Sequence, residues 1–297
     1  MSKRKIDFIC AGAQKSGTTT LFNMLSQHPS VYMPRRKELY FFDDERNFKK
    51  GYIWYESLFE EDSDLQVKGD ITPDYILFPK CAKRILNYNP DVKILIMLRN
   101  PADRAFSHYQ MKKRDTEENK SFSEALESEA ERTGRGYRSM MKYSYLQRGF
   151  YYKQLKPYFD LFPPENIKII IFEEFIKDII NHMGEIEMFL EIPCVMKYDL
   201  SKKTNEGYLP KRRYIAYIKR HLIRPVRGIY NKVIPQKIRE KVSHATDAGI
   251  LPKENLAADI RTRLMAIYHD DIKNLENLIN RDLSLWFLHP PAQAMDD

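Results

Sequence analysis

A glycine-bearing turn with one lysine and a run of hydroxyls is the segment best equipped for chemistry. Residues 8–12 (FICAG) are apolar, and Ala13, Gln14, Lys15, Ser16, Gly17, Thr18 and Thr19 follow directly. A strand that turns through glycine into a helix aims backbone N–H groups, and the positive end of the helix dipole, at one anion. Gly17 permits close approach, Ser16, Thr18 and Thr19 add hydroxyl donors, and Lys15 adds a full charge. Each charge-assisted hydrogen bond contributes roughly 1.5–3 kcal/mol, so a handful of them hold a phosphate. The triphosphatase pattern G-x-x-x-x-G-K-[ST] is met in its glycines, Gly12 and Gly17, but Thr18 stands where the lysine belongs and Lys15 lies inside the loop. The bland alternative is a serine/threonine-rich helix cap with a chance pair of glycines.

A second cation closes another apolar run, 92–98 (VKILIML), which ends in Arg99, Asn100 and Pro101. Triphosphatases need an acid at a strand end to hold magnesium. Here the planar fork of Arg99 takes such a place, and it suits a second phosphate. Ser107, two turns into the next helix, reaches the same anion if the chain doubles back after Pro101. Pairing of Arg99 with Asp103 is the alternative. Two anion sites and no evident metal site point to a nucleotide carrying phosphates at two positions of its ribose.

The segments 14–19 (QKSGTT) and 98–109 (LRNPADRAFSHY) resemble the sulfotransferases that use 3′-phosphoadenosine 5′-phosphosulfate (PAPS). Within them, the resemblance is to the heparan sulfate sulfotransferase group and its bacterial relatives, and it runs from Phe8 to Trp286. It implies that Gln14, Lys15, Ser16, Gly17, Thr18 and Thr19 bind the 5′-phosphosulfate of PAPS, that Arg99 and Ser107 bind its 3′-phosphate, and that no metal is required. Residues 37–43 (KELYFFD) are similar to the K-E-x-x-F-F-D segment of that group, so Glu38 inherits the role of general base and Lys15 that of neutralising the leaving group. A carboxylate near Tyr40, Phe41 and Phe42 is expected to have its pKa raised toward neutrality. The alternative is a surface acid neutralised by Arg35, Arg36 or Lys37.

The sequence also departs from that group. In 69–75 (GDITPDY), where the heparan enzymes often carry a lysine just before S/T-P-x-Y, Asp70 brings an acid that could assist Glu38. The histidine used here by cytosolic small-molecule sulfotransferases is missing, and His108 is the nearest alternative. The cysteine pair and lysine-glycine-arginine loop of the heparan enzymes are missing too. Residues 205–213 (NEGYLPKRR), with Lys211 and Arg212, are the candidate replacement over the nucleotide.

These residues need a scaffold of strands and helices in alternation. Strands are expected over 5–11, 65–69, 92–98 and 167–172, the last two nearly all apolar, as in a parallel sheet covered on both faces. Helices are expected over 18–27, 101–113, 121–131 (opened by the Ser121/Glu124 capping box), 145–159, 175–190 and 256–280. The expected fold is α/β: a single domain over 1–297, with a central parallel sheet flanked by helices and a P-loop-like strand-loop-helix.

The chain has 297 residues, 43% hydrophobic and 30% charged, which excludes a disordered, collagen-like or coiled-coil protein. No apolar run is long enough for a membrane span, and the N-terminus has no signal-peptide core. The three cysteines, Cys10, Cys81 and Cys194, have no metal-ligand spacing. A reducing compartment, the bacterial cytoplasm, is the expected home. The net charge of +8 comes from one stretch, 202–241, which holds thirteen Lys or Arg against two acids. It reads as a loop-and-helix appendage: a groove for an acidic or glycan acceptor, a helix resting on an anionic membrane through 211–241, or a solvated face. Nucleic-acid binding is not expected, because no recognised module accompanies the charge. The expected activity is in-line transfer of a sulfuryl group from PAPS to a hydroxyl (or amine) of a carbohydrate or glycolipid. The rivals are a P-loop kinase or triphosphatase, and a non-catalytic module for anions or acidic glycans.

Overall fold

Five parallel strands carry the site: β1 (Phe8–Gly12), β2 (Val31–Tyr32), β3 (Val67–Ile71), β4 (Lys93–Leu98) and β5 (Ile167–Ile171). They lie in the order β2-β3-β1-β4-β5, so from β1 the chain goes to the edge strand β2, returns to place β3 beside β1, and then crosses to the other side. Such a reversal leaves a crevice outside the carboxyl ends of the strands, here beyond β1 and β4. The computed structural model describes residues 5–59, 67–195, 197–200, 209–210, 250–251 and 255–288.

The α/β reading of the sequence holds, and the physical reason is burial on both faces. All five residues of β1 are buried, as are five of the six in β4. Phe8, Cys10, Ile71, Leu95, Met97 and Ile170 face helices Thr18–Leu25 and Ile179–Phe189 through Leu21, Met24, Leu25, Met183 and Ile186. Strand alternation sends Ile9, Ile94, Ile96 and Leu98, equally buried, to the opposite face. Each such aliphatic side chain contributes roughly 1.5–3 kcal/mol by leaving water, which makes the two strands flanking the crevice the rigid part of the sheet.

Several element boundaries differ from those expected. The expected helix over 121–131 is two pieces, Phe122–Glu127 and Glu129–Thr133, because the Ser128 hydroxyl donates back to the Glu124 carbonyl where the first piece ends. The expected helix over 175–190 is likewise divided. Phe172–Phe175 stands alone, and Asp178 accepts from the Asn181 N–H to start Ile179–Phe189 afresh. A helix at Lys80–Tyr88 went unforeseen. It buries Cys81, Ala82, Ile85 and Tyr88, one face at helical spacing.

The described residues of Met1–Arg104, Gln147–Thr204 and Thr262–Asp297 form one compact unit, and those of Ala105–Leu146 and Asn205–Arg261 a second. The first holds the sheet. In the second, buried Glu118 accepts from the Tyr145 hydroxyl at 2.8 Å and pairs with Arg132. Apart from 209–210, which pair antiparallel with 250–251, the basic stretch 202–241 lies outside the described residues. Among the described residues, no helix is long and apolar enough to cross a membrane.

Candidate active site

The chain leaves β1 at Gly12 and enters helix Thr18–Leu25 at Gly17, whose φ of 88° and ψ of 7° are left-handed. A Cβ on Gly17 would sit 2.7 Å from the Phe172 ring, so glycine is required for conformation and for space. Glycine also brings no side-chain cap, which leaves the first-turn N–H groups for an external acceptor. Within the loop the Ser16 N–H donates to the Ala13 carbonyl at 3.2 Å, and the Ala13 N–H to the Met97 carbonyl of β4 at 2.6 Å. Ser16 Oγ is buried beside the Tyr151 hydroxyl, whose own proton goes to the Arg99 carbonyl at 2.9 Å, which leaves the phenol oxygen to accept from Ser16. The Ser16 hydroxyl can turn from this neutral acceptor to an anionic oxygen in the loop, which makes the stronger, charge-assisted hydrogen bond. The residues present therefore fit a bound phosphate-type group.

Register explains how Arg99 reaches this loop. Leu98 of β4 pairs with Ile171 of β5, so the residues that follow, Arg99 and Phe172, emerge side by side. The Arg99 guanidinium lies 4.8 Å from the Phe172 ring centroid, and its Nη1 donates to the Lys15 carbonyl at 3.2 Å. Neighbouring groups fix its backbone. The Asn100 N–H donates to Glu173 at 2.8 Å, Asn100 Nδ2 donates to the Trp286 carbonyl at 2.9 Å, and Trp286 Nε1 reaches the same Glu173 at 3.3 Å. Arg99 is thus a half-buried cation seated against the phosphate loop itself. Phe172 and Tyr151 were not foreseen. The signal for Phe172 was available, since strands 92–98 and 167–172, once paired in parallel, end together.

Glu38 is half-buried and engaged at both oxygens: Lys37 Nζ donates to Oε1 at 2.8 Å and the Tyr40 hydroxyl to Oε2. Burial pushes its pKa up, but the Lys37 charge and hydrogen bond, the Tyr40 hydroxyl and the Arg148 charge outweigh it, and the pKa is lowered. This corrects the expected rise toward neutrality. Phe41 and Phe42 point into an aromatic core, with Phe41 stacked on Tyr55 at 4.4 Å, while the side chains that meet the carboxylate are donors. Because the folded carboxyl releases its proton more readily than in the unfolded chain, the effect stabilises the fold above the ordinary glutamate range. It fades as pH falls through the folded pKa. In a carboxyl-13C NMR titration, Glu38 is expected below the ordinary glutamate value, and Lys37→Met is expected to move it up. An unmoved titration would assign the lowering to Tyr40 and Arg148.

Comparison with protein-family models matches residues 5–206, more than half the chain, to the sulfotransferase domain. The chain belongs to the sulfotransferase domain family. It is similar to the mouse heparan sulfate glucosamine 3-O-sulfotransferase 5, with 27% identity over 71% of this chain and 61% of that one. With the human heparan sulfate glucosamine 3-O-sulfotransferase 6, identity is 30% over 63% of this chain and 53% of that one. The matched stretch thus spans under two thirds of these curated relatives. A solved sulfotransferase from Alicyclobacillus acidocaldarius is 30% identical, with a TM-score of 0.73, over 96% of this chain and 99% of that one.

In this sulfotransferase domain the remaining sequence-nominated residues fall in different places. Gln14 is half-buried, and its Oε1 has no partner among the described residues; Thr18 is buried and Thr19 half-buried. Ser107 is half-buried on helix Pro101–Arg114 and belongs to the second compact unit, whereas Arg99 belongs to the first. His108 is wholly buried in that second unit, its ring edge-on to Tyr145 at 4.8 Å. Lys211 and Arg212 lie outside the described residues. Asp70, expected from the sequence as an acid that could assist Glu38, is wholly buried among hydroxyls. Asp74 and Arg148 form a buried ion pair. Removing one partner of such a pair costs about 3–5 kcal/mol, so it is a rigid support for the Arg148 charge that bears on Glu38.

Proposed function

We propose that this protein is a PAPS-dependent sulfotransferase that passes a sulfuryl group to a hydroxyl (or amine) of a carbohydrate or glycolipid acceptor by in-line displacement. The observation that carries the reading is the seating of Arg99 on the carbonyl of Lys15, with the buried Ser16 hydroxyl beside it. Donors for two anionic groups meet at the ends of β1 and β4, and a cation stands where a triphosphatase needs an acid. Gln14, Lys15, Ser16, Gly17, Thr18 and Thr19 would hold the 5′ side of the nucleotide, and Arg99 and Ser107 the 3′-phosphate, with Lys211 and Arg212 as further contacts. PAPS, when bound, supplies the sulfuryl group. Lys15 neutralises charge at the loop, and its N–H groups act as donors fixed before the reaction begins. Glu38 receives the acceptor proton at a carboxylate oxygen, each of which keeps a lone pair beside its bond from Lys37 or Tyr40.

The carbohydrate acceptor is supported by the names of the curated relatives and by the cation-rich stretch 202–241, which suits an acidic glycan or an anionic membrane surface. A single domain over 1–297 is supported by the structural match over 96% of the chain. The bacterial cytoplasm is supported by free thiols at Cys10, Cys81 and Cys194, the first pushed up to about 12 by burial. The test is calorimetric titration with 3′,5′-bisphosphoadenosine, ATP and AMP. The expected result is binding of the bisphosphate at least about tenfold tighter than AMP, equivalent to about 1.4 kcal/mol for the second phosphate. ATP binding tighter than the bisphosphate would favour a kinase or triphosphatase instead.

A further inference from the structure

Glu38 and Tyr40 have φ values of 66° and 51°, a left-handed backbone that side-chain-bearing residues keep only where their surroundings hold them. Between and after them, the Leu39 N–H donates to Thr72 Oγ1 at 2.9 Å and the Phe41 N–H to the Tyr75 hydroxyl at 3.1 Å. Each hydroxyl has one proton, and both protons go to the same carboxylate. Thr72 donates to Asp70 Oδ1 at 2.7 Å and Tyr75 to Oδ2 at 2.8 Å, with Tyr55 adding a third bond to Oδ2 at 2.9 Å. Asp70, Thr72, Tyr75 and Tyr55 have no solvent exposure. Thr72 is also tied to the phosphate-loop strand, because its N–H donates to the Cys10 carbonyl at 3.1 Å.

We propose that Asp70 is the positioning residue for Glu38, acting through the Thr72 and Tyr75 hydroxyls to hold residues 38–41 in register with the end of β1. The inference rests on the reading of Glu38 as the general base. A hydroxyl that donates to a carboxylate is a stronger acceptor than one left to rotate, so the buried acid tightens both backbone bonds. Three donors converging on Asp70 also explain how it is held with no ion pair among the described residues. The three hydroxyl bonds partly offset the burial that raises its pKa. An amide at this position would present its own N–H2 to hydroxyls that must donate.

The test compares Asp70→Asn, Thr72→Val and Thr72→Ser with the unaltered full chain and with Glu38→Gln. Transfer is read from 35S-labelled PAPS to heparan sulfate, binding from calorimetry with 3′,5′-bisphosphoadenosine, and the Glu38 carboxyl from 13C NMR. Asp70→Asn and Thr72→Val are expected to lower kcat at least tenfold and to move the Glu38 titration toward its ordinary range. Bisphosphoadenosine affinity should stay within about twofold, and Thr72→Ser should restore both other properties. If Thr72→Val does not fold, Tyr75→Phe asks the same question at the Phe41 N–H. A Glu38 titration unmoved by these replacements would overturn the positioning role. Transfer retained in Glu38→Gln would instead overturn Glu38 as the base, and a titration that still moves would leave the tether standing.

Discussion

Glu38→Gln is expected to lower sulfuryl transfer by about 1,000-fold, within the 10²–10⁴ range of a positioned general base, while bisphosphoadenosine affinity stays within about twofold. Glutamine keeps the length of the side chain and can still accept from the Tyr40 hydroxyl, so the left-handed backbone at 38 and 40 has no new reason to rearrange. It loses two things: the ability to take a proton at neutral pH, and the charge that draws Lys37 to Oε1 at 2.8 Å. The pair is partly open to solvent, where such an interaction contributes little to stability, so a large fall in rate with only a slight fall in melting temperature is the expected combination. The lowered pKa of Glu38 adds a condition. A carboxylate held charged by Lys37 and Tyr40 is a weak base, and it strengthens as either donor moves away while the acceptor hydroxyl bonds to a remaining lone pair. An acceptor with a further anionic group could draw Lys37 away and release the base at the moment it is needed. Retained transfer in Glu38→Gln would move the base elsewhere, and wholly buried Asp70, with all three hydroxyl donors in place, is poorly placed to substitute.

Much of the scaffold was legible because a parallel sheet leaves a coarse signal. Apolar runs at 8–12 and 92–98 form the buried centre of the sheet and the run at 167–172 its half-buried edge, and hydrophobicity alone finds them. β2 is two residues long, too short for any period, and its pairing with Val67 and Lys68 is a tertiary fact. Helix Lys80–Tyr88 did have a readable face at Cys81, Ala82, Ile85 and Tyr88, masked by Lys80, Lys83 and Arg84 between them. At the site, the loop and Glu38 were visible as contiguous motifs. The sign of the Glu38 shift is hidden in the sequence because Tyr40 stands in an aromatic run with Phe41 and Phe42, although its hydroxyl, like the Lys37 ammonium, meets the carboxylate. The support of Glu38 was beyond a linear reading. It joins Leu39, Phe41, Tyr55, Asp70, Thr72 and Tyr75 through hydroxyl protons, and no local pattern relates Tyr55 to Asp70. Spacing gives chemistry that is contiguous in the chain; the second layer, which sets pKa and backbone conformation, is written only in packing.

Lys15→Ala is expected to lower kcat by about 100-fold, on the scale of losing one donor to developing charge. Lys15 lies in the middle of the loop with φ 71°, a conformation that alanine adopts at some cost, so part of any effect could come from the backbone. Two features limit that part. The Lys15 carbonyl is held by Arg99 Nη1 at 3.2 Å, and the Ser16 N–H is held by the Ala13 carbonyl; neither bond uses the lysine side chain. Lys15→Met keeps the stem and removes only the charge, and should lose nearly as much rate as alanine. Comparing Lys15→Ala with Arg99→Ala then separates the two cations. If Lys15 serves charge that develops during transfer, its removal lowers kcat more than it weakens bisphosphoadenosine. If Arg99 serves a phosphate that does not react, its removal weakens bisphosphoadenosine more than AMP and acts mainly on KM. Equal losses of rate and affinity in both variants would mean that the loop binds its anion uniformly, and that the lysine inside it has no special part in transfer.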